Sequence, residues 1–167
     1  QGRQRKLTLL SAPAGFGNTT LLSSWVEQRD QPIAWLSLDE DDNEPDRFWT
    51  YVVAALQNLN PALGKATLAG LQSSQPPPDA SLLTPLINDI GAAANQLALI
   101  LDDYHVVTAR PVHEGLAYLL EHLPQQLRLV IASRTDPPLP LHLLRGRQEL
   151  TELRATDLRF TSDEAAV

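Results

Sequence analysis

Leu7-Thr8-Leu9-Leu10 runs into Ser11-Ala12-Pro13-Ala14-Gly15-Phe16-Gly17-Asn18-Thr19-Thr20, and Leu21-Leu22-Ser23-Ser24-Trp25-Val26 follows. An apolar strand, a glycine-rich turn and an amphipathic helix, in that order, are the context of a phosphate-binding P-loop. Gly17 and Thr19 stand where the pattern G-x-x-x-x-G-K-[ST] wants its second glycine and its hydroxyl. Ala12 replaces the first glycine, and Asn18 replaces the lysine. Backbone N–H groups at a helix start still offer an anion site. The positive side chain that the motif supplies is missing.

Outward from this stretch, strands and helices alternate. Ile33 to Leu38 reads as a second strand, and an acidic run from Asp39 to Pro45 as a solvated loop. Phe48, Trp49, Val52, Val53 and Leu56 then share one helical face. Residues 59–79 hold Pro61, Gly64, Gly70 and Pro76-Pro77-Pro78 and predict a mobile loop. A helix is expected over 81–95. Leu97 to Leu101 is a continuous apolar run ending in Asp102-Asp103, which suits a parallel strand covered on both faces. A helix over 112–123, a strand from Leu127 to Ala132 ending at Ser133-Arg134, a short helix near Leu141 and a fifth strand over 149–153 complete the set. The pattern predicts an α/β fold: a doubly wound, mostly parallel five-stranded sheet with its ligand crevice at the strand carboxyl ends.

The 167 residues are 43% hydrophobic, enough for one domain with a real core. No apolar run has transmembrane length, and no signal-peptide pattern opens the chain. Without cysteine there is neither a disulfide nor a thiolate metal site. A cytoplasmic protein that does not use a membrane fits these facts. The net charge of −7 disfavours nucleic-acid binding by this segment alone. The first residue, Gln1, and the Thr161-x-x-Glu164 capping pattern near the last are read as marks of a piece of a longer protein. On that reading residues 1–160 form the P-loop domain and 161–167 begin a helical one.

Three strand ends carry suggestive chemistry. The first ends in the P-loop, the third in Asp102-Asp103, the fourth in Ser133-Arg134. Nucleoside triphosphate chemistry needs amides around the phosphates, a hydroxyl and a carboxylate for Mg²⁺, a carboxylate to orient water and a cation at the γ-phosphate. Pro13, Ala14, Gly15, Phe16, Gly17, Asn18, Thr19 and Thr20 would form the cradle. Thr19 and Asp102 would hold Mg²⁺, and Asp103 and Arg134 would be the catalytic pair. Each has a plain rival: a structural glycine turn, a solvated strand end or helix cap, a surface ion pair. His105, His113, His122 and His142 follow no metal spacing and read as ordinary surface or helix histidines. A calcium loop beginning at Asp39 fails, because Glu44 and Thr50 stand where glycine and glutamate belong. Trp25, Trp35 and Trp49 read as core.

Taken together, Ser11 to Thr20, Ala34-Trp35-Leu36-Ser37-Leu38-Asp39, Arg47-Phe48-Trp49, Leu99 to His105, Ala132-Ser133-Arg134-Thr135 and Leu158-Arg159-Phe160-Thr161 resemble one family. It is the nucleotide-binding domain of large bacterial LuxR-type transcriptional activators of the MalT kind. The resemblance runs nearly end to end. It implies a P-loop NTPase architecture of the AAA+/STAND type, ATP or ADP with Mg²⁺ as ligands, and a signalling ATPase that self-associates in its ATP state. It also implies that DNA is bound only through a distant C-terminal helix-turn-helix. Asn18 departs from the family's lysine. An ion pair at ~4 Å near a protein surface contributes roughly 4 kcal/mol before desolvation. Its loss predicts triphosphate binding weaker by about two orders of magnitude. Two other classes stay open on the residues: an active ATPase or small-molecule kinase, which the missing lysine argues against, and an interaction scaffold with a vestigial P-loop.

Overall fold

The computed structural model describes residues 5–11, 22, 23, 26, 27, 30–73 and 80–154. Strands β1 (Leu7–Ser11), β2 (Ile33–Ser37), β3 (Leu97–Asp102), β4 (Leu127–Ser133) and β5 (Leu150–Arg154) form one sheet. Their order is β2-β3-β4-β1-β5, and every pairing is parallel. All six residues of β3 are buried, as a strand covered on both faces requires.

Alternation along the strands divides the core. Leu7, Leu9, Leu99, Leu101, Leu129 and Ile131 face the larger cluster, which is closed by α1 (Pro45–Gln57), α2 (Lys65–Leu71), α3 (Thr84–Gly91), α4 (Arg110–Glu121) and α5 (Leu141–Gly146). Leu10, Ile100, Val130 and Ala132 face the other side and pack with Leu22. Residues 22, 23, 26 and 27 are helical, so the segment after the glycine-rich turn covers this second face. Successive side chains of a strand point to opposite faces, and that alone assigns each residue its layer.

The helices follow their sequence signals. Pro45 opens α1, where its missing N–H costs nothing, and Phe48, Trp49, Val52, Val53 and Leu56 are buried. Pro111 stands in the first turn of α4, which lies close against α1. A Cβ on Gly115 would sit 2.9 Å from Trp49 Cζ2, so only glycine fits at this crossing. The bidentate pair Arg145–Glu152, with both contacts at 2.8 Å, ties α5 to β5.

Several expectations need correction. Residues 59–73 are not a loop: they contain α2, with Leu63, Thr67 and Leu71 buried. The glycines fit the structure rather than interrupt it. Gly64 takes φ +72 just before the helix, and Gly70 leaves room for the Leu82 side chain. The helix expected over 81–95 is shorter, a 3₁₀ turn Ala80–Leu83 followed by α3, with Pro85 in its first turn. The acidic run is folded as well. Glu40–Asn43 is a 3₁₀ turn with a reciprocal cap: Asp39 accepts from the Asp41 amide, Asp42 accepts from the Asp39 amide, and Asp42 is buried. Trp49 is core, whereas Trp35 is only half-buried; Trp25 lies outside the described residues, as does the capping pattern at Thr161.

Candidate functional site

The chain leaves β1 toward β2 on the Leu22 face, but leaves β3 and β4 through α4 and α5 on the opposite face. Neighbouring strands whose exits diverge leave a crevice at their carboxyl ends, which is where open α/β sheets bind ligands. Here the crevice lies at β1, β4 and β3. Ser11 is the register partner of Ser133, and Leu101 that of Ile131, so the three strands end at one level. The expected adjacency of the three ends is present. Pro13 through Thr20, including Asn18 and Thr19, lie outside the described residues.

Asp102 is 3% exposed. Strand alternation puts it with Ile100 on the Leu22 face, the side of the helix that follows the glycine-rich turn. Its Oδ1 accepts the Asp103 amide at 2.9 Å. Asp103 is exposed and adopts φ 60, ψ 39, a left-handed conformation uncommon outside glycine. A 3₁₀ turn, Tyr104–Val106, follows. Arg134 is exposed at the end of β4, and its amide donates to His105 Nδ1 at 3.4 Å. Asp102, Asp103 and Arg134 are thus at neighbouring strand ends, linked through His105. Among the described residues no group of three or more His, Asp or Glu side chains would hold a metal alone. A single buried carboxylate still suits Mg²⁺, which is usually held by one or two carboxylates, waters and substrate phosphates rather than by a protein cage.

Sequence reasoning missed several polar residues around this end of the sheet. Tyr104 Oη and His113 Nδ1 lie 2.7 Å apart in the interior, so of the two expected settings His113 takes the helix and not the surface. Burial pushes the Tyr104 hydroxyl above its ordinary pKa. Burial also lowers the His113 pKa, partly opposed by a hydrogen bond to the Val107 backbone. Ser11 Oγ donates to Asp136 Oδ1 at 3.3 Å across the β1 and β4 ends. A cleft of about 580 Å³ opens on the α4 face, with Tyr104, His105, His113, Ser133 and Asp136 among its lining. Asn43 joins the acidic turn to the Val106–Ala109 backbone. The Ser11 and Asn43 pairings have no local spacing to find, because each spans distant segments, and the Tyr104–His113 pair, nine residues apart, joins two elements that no single period relates.

No family model matches the chain. Similar solved structures include Cdc6p from Pyrobaculum aerophilum (TM-score 0.54, 15% identity, 90% of this chain and 39% of that one). Another is the Drosophila ORC bound to AT-rich DNA and Cdc6 (TM-score 0.50, 12% identity, 90% and 48%). At these identities they show the fold alone: an α/β architecture, which with the five-stranded parallel sheet is the one the sequence predicts. In sequence, the chain is 39% identical over 160 residues to the HTH-type transcriptional regulator MalT of Yersinia enterocolitica, and 38% identical to that of Cronobacter sakazakii. Each match covers 96% of the chain but 18% of the relative's length. Along nearly all of its residues, then, the chain is a homologue of one segment of the MalT-type transcriptional regulators, as its motifs indicate.

Proposed function

We propose that the chain is the ATP/ADP-binding switch domain of a MalT-type transcriptional regulator, with nucleotide affinity lowered by Asn18. The observation that carries this reading is the convergence of the β1, β4 and β3 ends, with Asp102 buried on the Leu22 face and Arg134 one strand away. In it, the amides of Ala14 through Thr20 receive the phosphates at the helix start, and Pro13, which has no N–H, shapes the entry to the cradle. Thr19 and Asp102 are the Mg²⁺ ligands. Asp103 orients the attacking water and Arg134 faces the γ-phosphate. Bound Mg²⁺ would neutralise charge on the phosphates. Residues 1–160 form this unit and 161–167 begin the next. The regulator works in the cytoplasm, self-associates in its ATP state and meets DNA through another region. Hydrolysis is slow or absent, since Asn18 removes the cation that spans the β- and γ-phosphates.

The test is calorimetric titration with Mg-ADP and Mg-AMP. One-site binding that prefers ADP supports a cradle for the β-phosphate. Equal binding of the two, or none of either at millimolar concentration, contradicts it.

A further inference from the structure

We propose that Asn43 is a positioning residue: from the acidic turn it fixes the segment that carries Asp103 and His105 against Arg134. This rests on the roles given above to Asp103 and Arg134. The Asn43 side chain commits all its hydrogen-bonding capacity to two loops. Its Nδ2 donates to the Glu40 carbonyl and to the Val106 carbonyl, both at 3.0 Å. Its Oδ1 accepts the Thr108 amide at 2.6 Å and the Ala109 amide at 2.9 Å. An amide side chain offers two donors and one oxygen with two lone pairs, so nothing is left for solvent. Three of these four partners lie 63 to 66 residues away in the chain.

The segment so held has a conformation that needs holding. Asp103 is a non-glycine residue at φ 60. Such residues persist where the surroundings over-determine the backbone, and they gather at functional sites. Here the surroundings are three anchors. The Asp103 amide is bonded to Asp102. The Tyr104 hydroxyl is bonded to His113. Asn43 grips the backbone from Val106 to Ala109. Between these anchors His105 meets the Arg134 amide. The β2 exit is thereby connected to the two strand ends that hold the proposed catalytic pair.

Amide hydrogen exchange on the protein and its Asn43→Ala and Asn43→Asp variants decides the matter. In Asn43→Ala the Thr108 and Ala109 amides should exchange about tenfold faster, as lost hydrogen bonds require. The Asp103 and Arg134 amides should also accelerate, although neither touches Asn43. Asn43→Asp keeps the acceptor and should restore most of the protection at Thr108 and Ala109. If Asn43→Ala does not fold, Asn43→Asp, which keeps the acceptor but sets a carboxylate oxygen against the Glu40 and Val106 carbonyls, carries the same comparison at Asp103. Acceleration confined to Thr108 and Ala109 would make Asn43 a local staple and overturn the proposal. Nucleotide titration adds a second readout: the affinity that the γ-phosphate contributes, Mg-ATP over Mg-ADP, should fall in Asn43→Ala while Mg-ADP binding holds. A parent protein that binds no Mg-ADP contradicts the nucleotide reading, and the exchange comparison still judges the clamp.

Discussion

Ser11 and Ser133 are register partners at the carboxyl ends of β1 and β4, and the turn leaving β4 is pinned back to β1 by the 3.3 Å bond from Ser11 Oγ to Asp136. The entry to the glycine-rich stretch, at Ser11, and the base of Arg134 therefore belong to one small region. Two layers meet there: Asp102 on the face of the helix after that turn, and Ser133 on the α4 face with Tyr104 and His113.

The Tyr104–His113 pair predicts a pH dependence of stability. Burial lowers the His113 pKa below its ordinary 6.5, so the folded state binds this proton less readily than the unfolded chain. The stability it contributes is present above pH 6.5 and is lost as pH falls toward the folded value. Urea midpoints of the parent should drop on acidification through this window, and those of His113→Gln should drop less. Equal slopes would remove His113 from the linkage. Tyr104→Phe leaves Nδ1 without its interior partner and should cost about 1–3 kcal/mol at neutral pH.

Gly64→Ala should be among the more damaging single-methyl changes in the chain. The residue sits at φ +72, and an added Cβ would lie 2.8 Å from Val53 Cγ1 on α1. Backbone strain and overpacking together predict a loss of about 2–4 kcal/mol in urea unfolding. A change below about 0.5 kcal/mol, as for surface sites, would mean that α2 is not docked on α1.

Asp102→Asn should weaken nucleotide binding in Mg²⁺ more than in a chelator. The carboxylate is buried at the end of an apolar strand, and asparagine keeps its shape without its charge. Calorimetry in the two conditions separates a metal ligand from a structural residue. Equal losses would take Asp102 out of the metal shell.

How much of this was legible depended on the range of each interaction. β3 could be read because a strand buried on both faces is apolar without interruption, as Leu97 to Leu101 is, and β1 and β4 because each is apolar but for one residue, Thr8 and Arg128, before its polar end. The faces of α1 and α4 followed from helical spacing. α2 was hidden because Gly64 and Gly70 are breakers by local rule, while here each glycine answers a tertiary contact, with Val53 and with Leu82. Asp42 read as solvated because nothing local tells that the 3₁₀ turn buries it. Asp102, Asp103 and Arg134 could be nominated from strand ends, since the topology brings strand ends together. Asn43 could not, because three of its four partners lie 63 to 66 residues away, and His113 could not, because its partner Tyr104 stands in a separate turn whose fold over the helix has no sequence period.

Asn18→Lys is the direct test of the impaired-site reading. Lysine would supply the one charge the turn lacks, beside Thr19 and behind Gly15 and Gly17. Without ligand the melting temperature should barely move, as for an exposed substitution within about 0.5 kcal/mol. Binding to the folded state alone raises the melting temperature. In millimolar Mg-ADP the lysine variant should therefore show a clearly larger rise than the parent, and an equal or smaller rise would contradict a phosphate site weakened by Asn18.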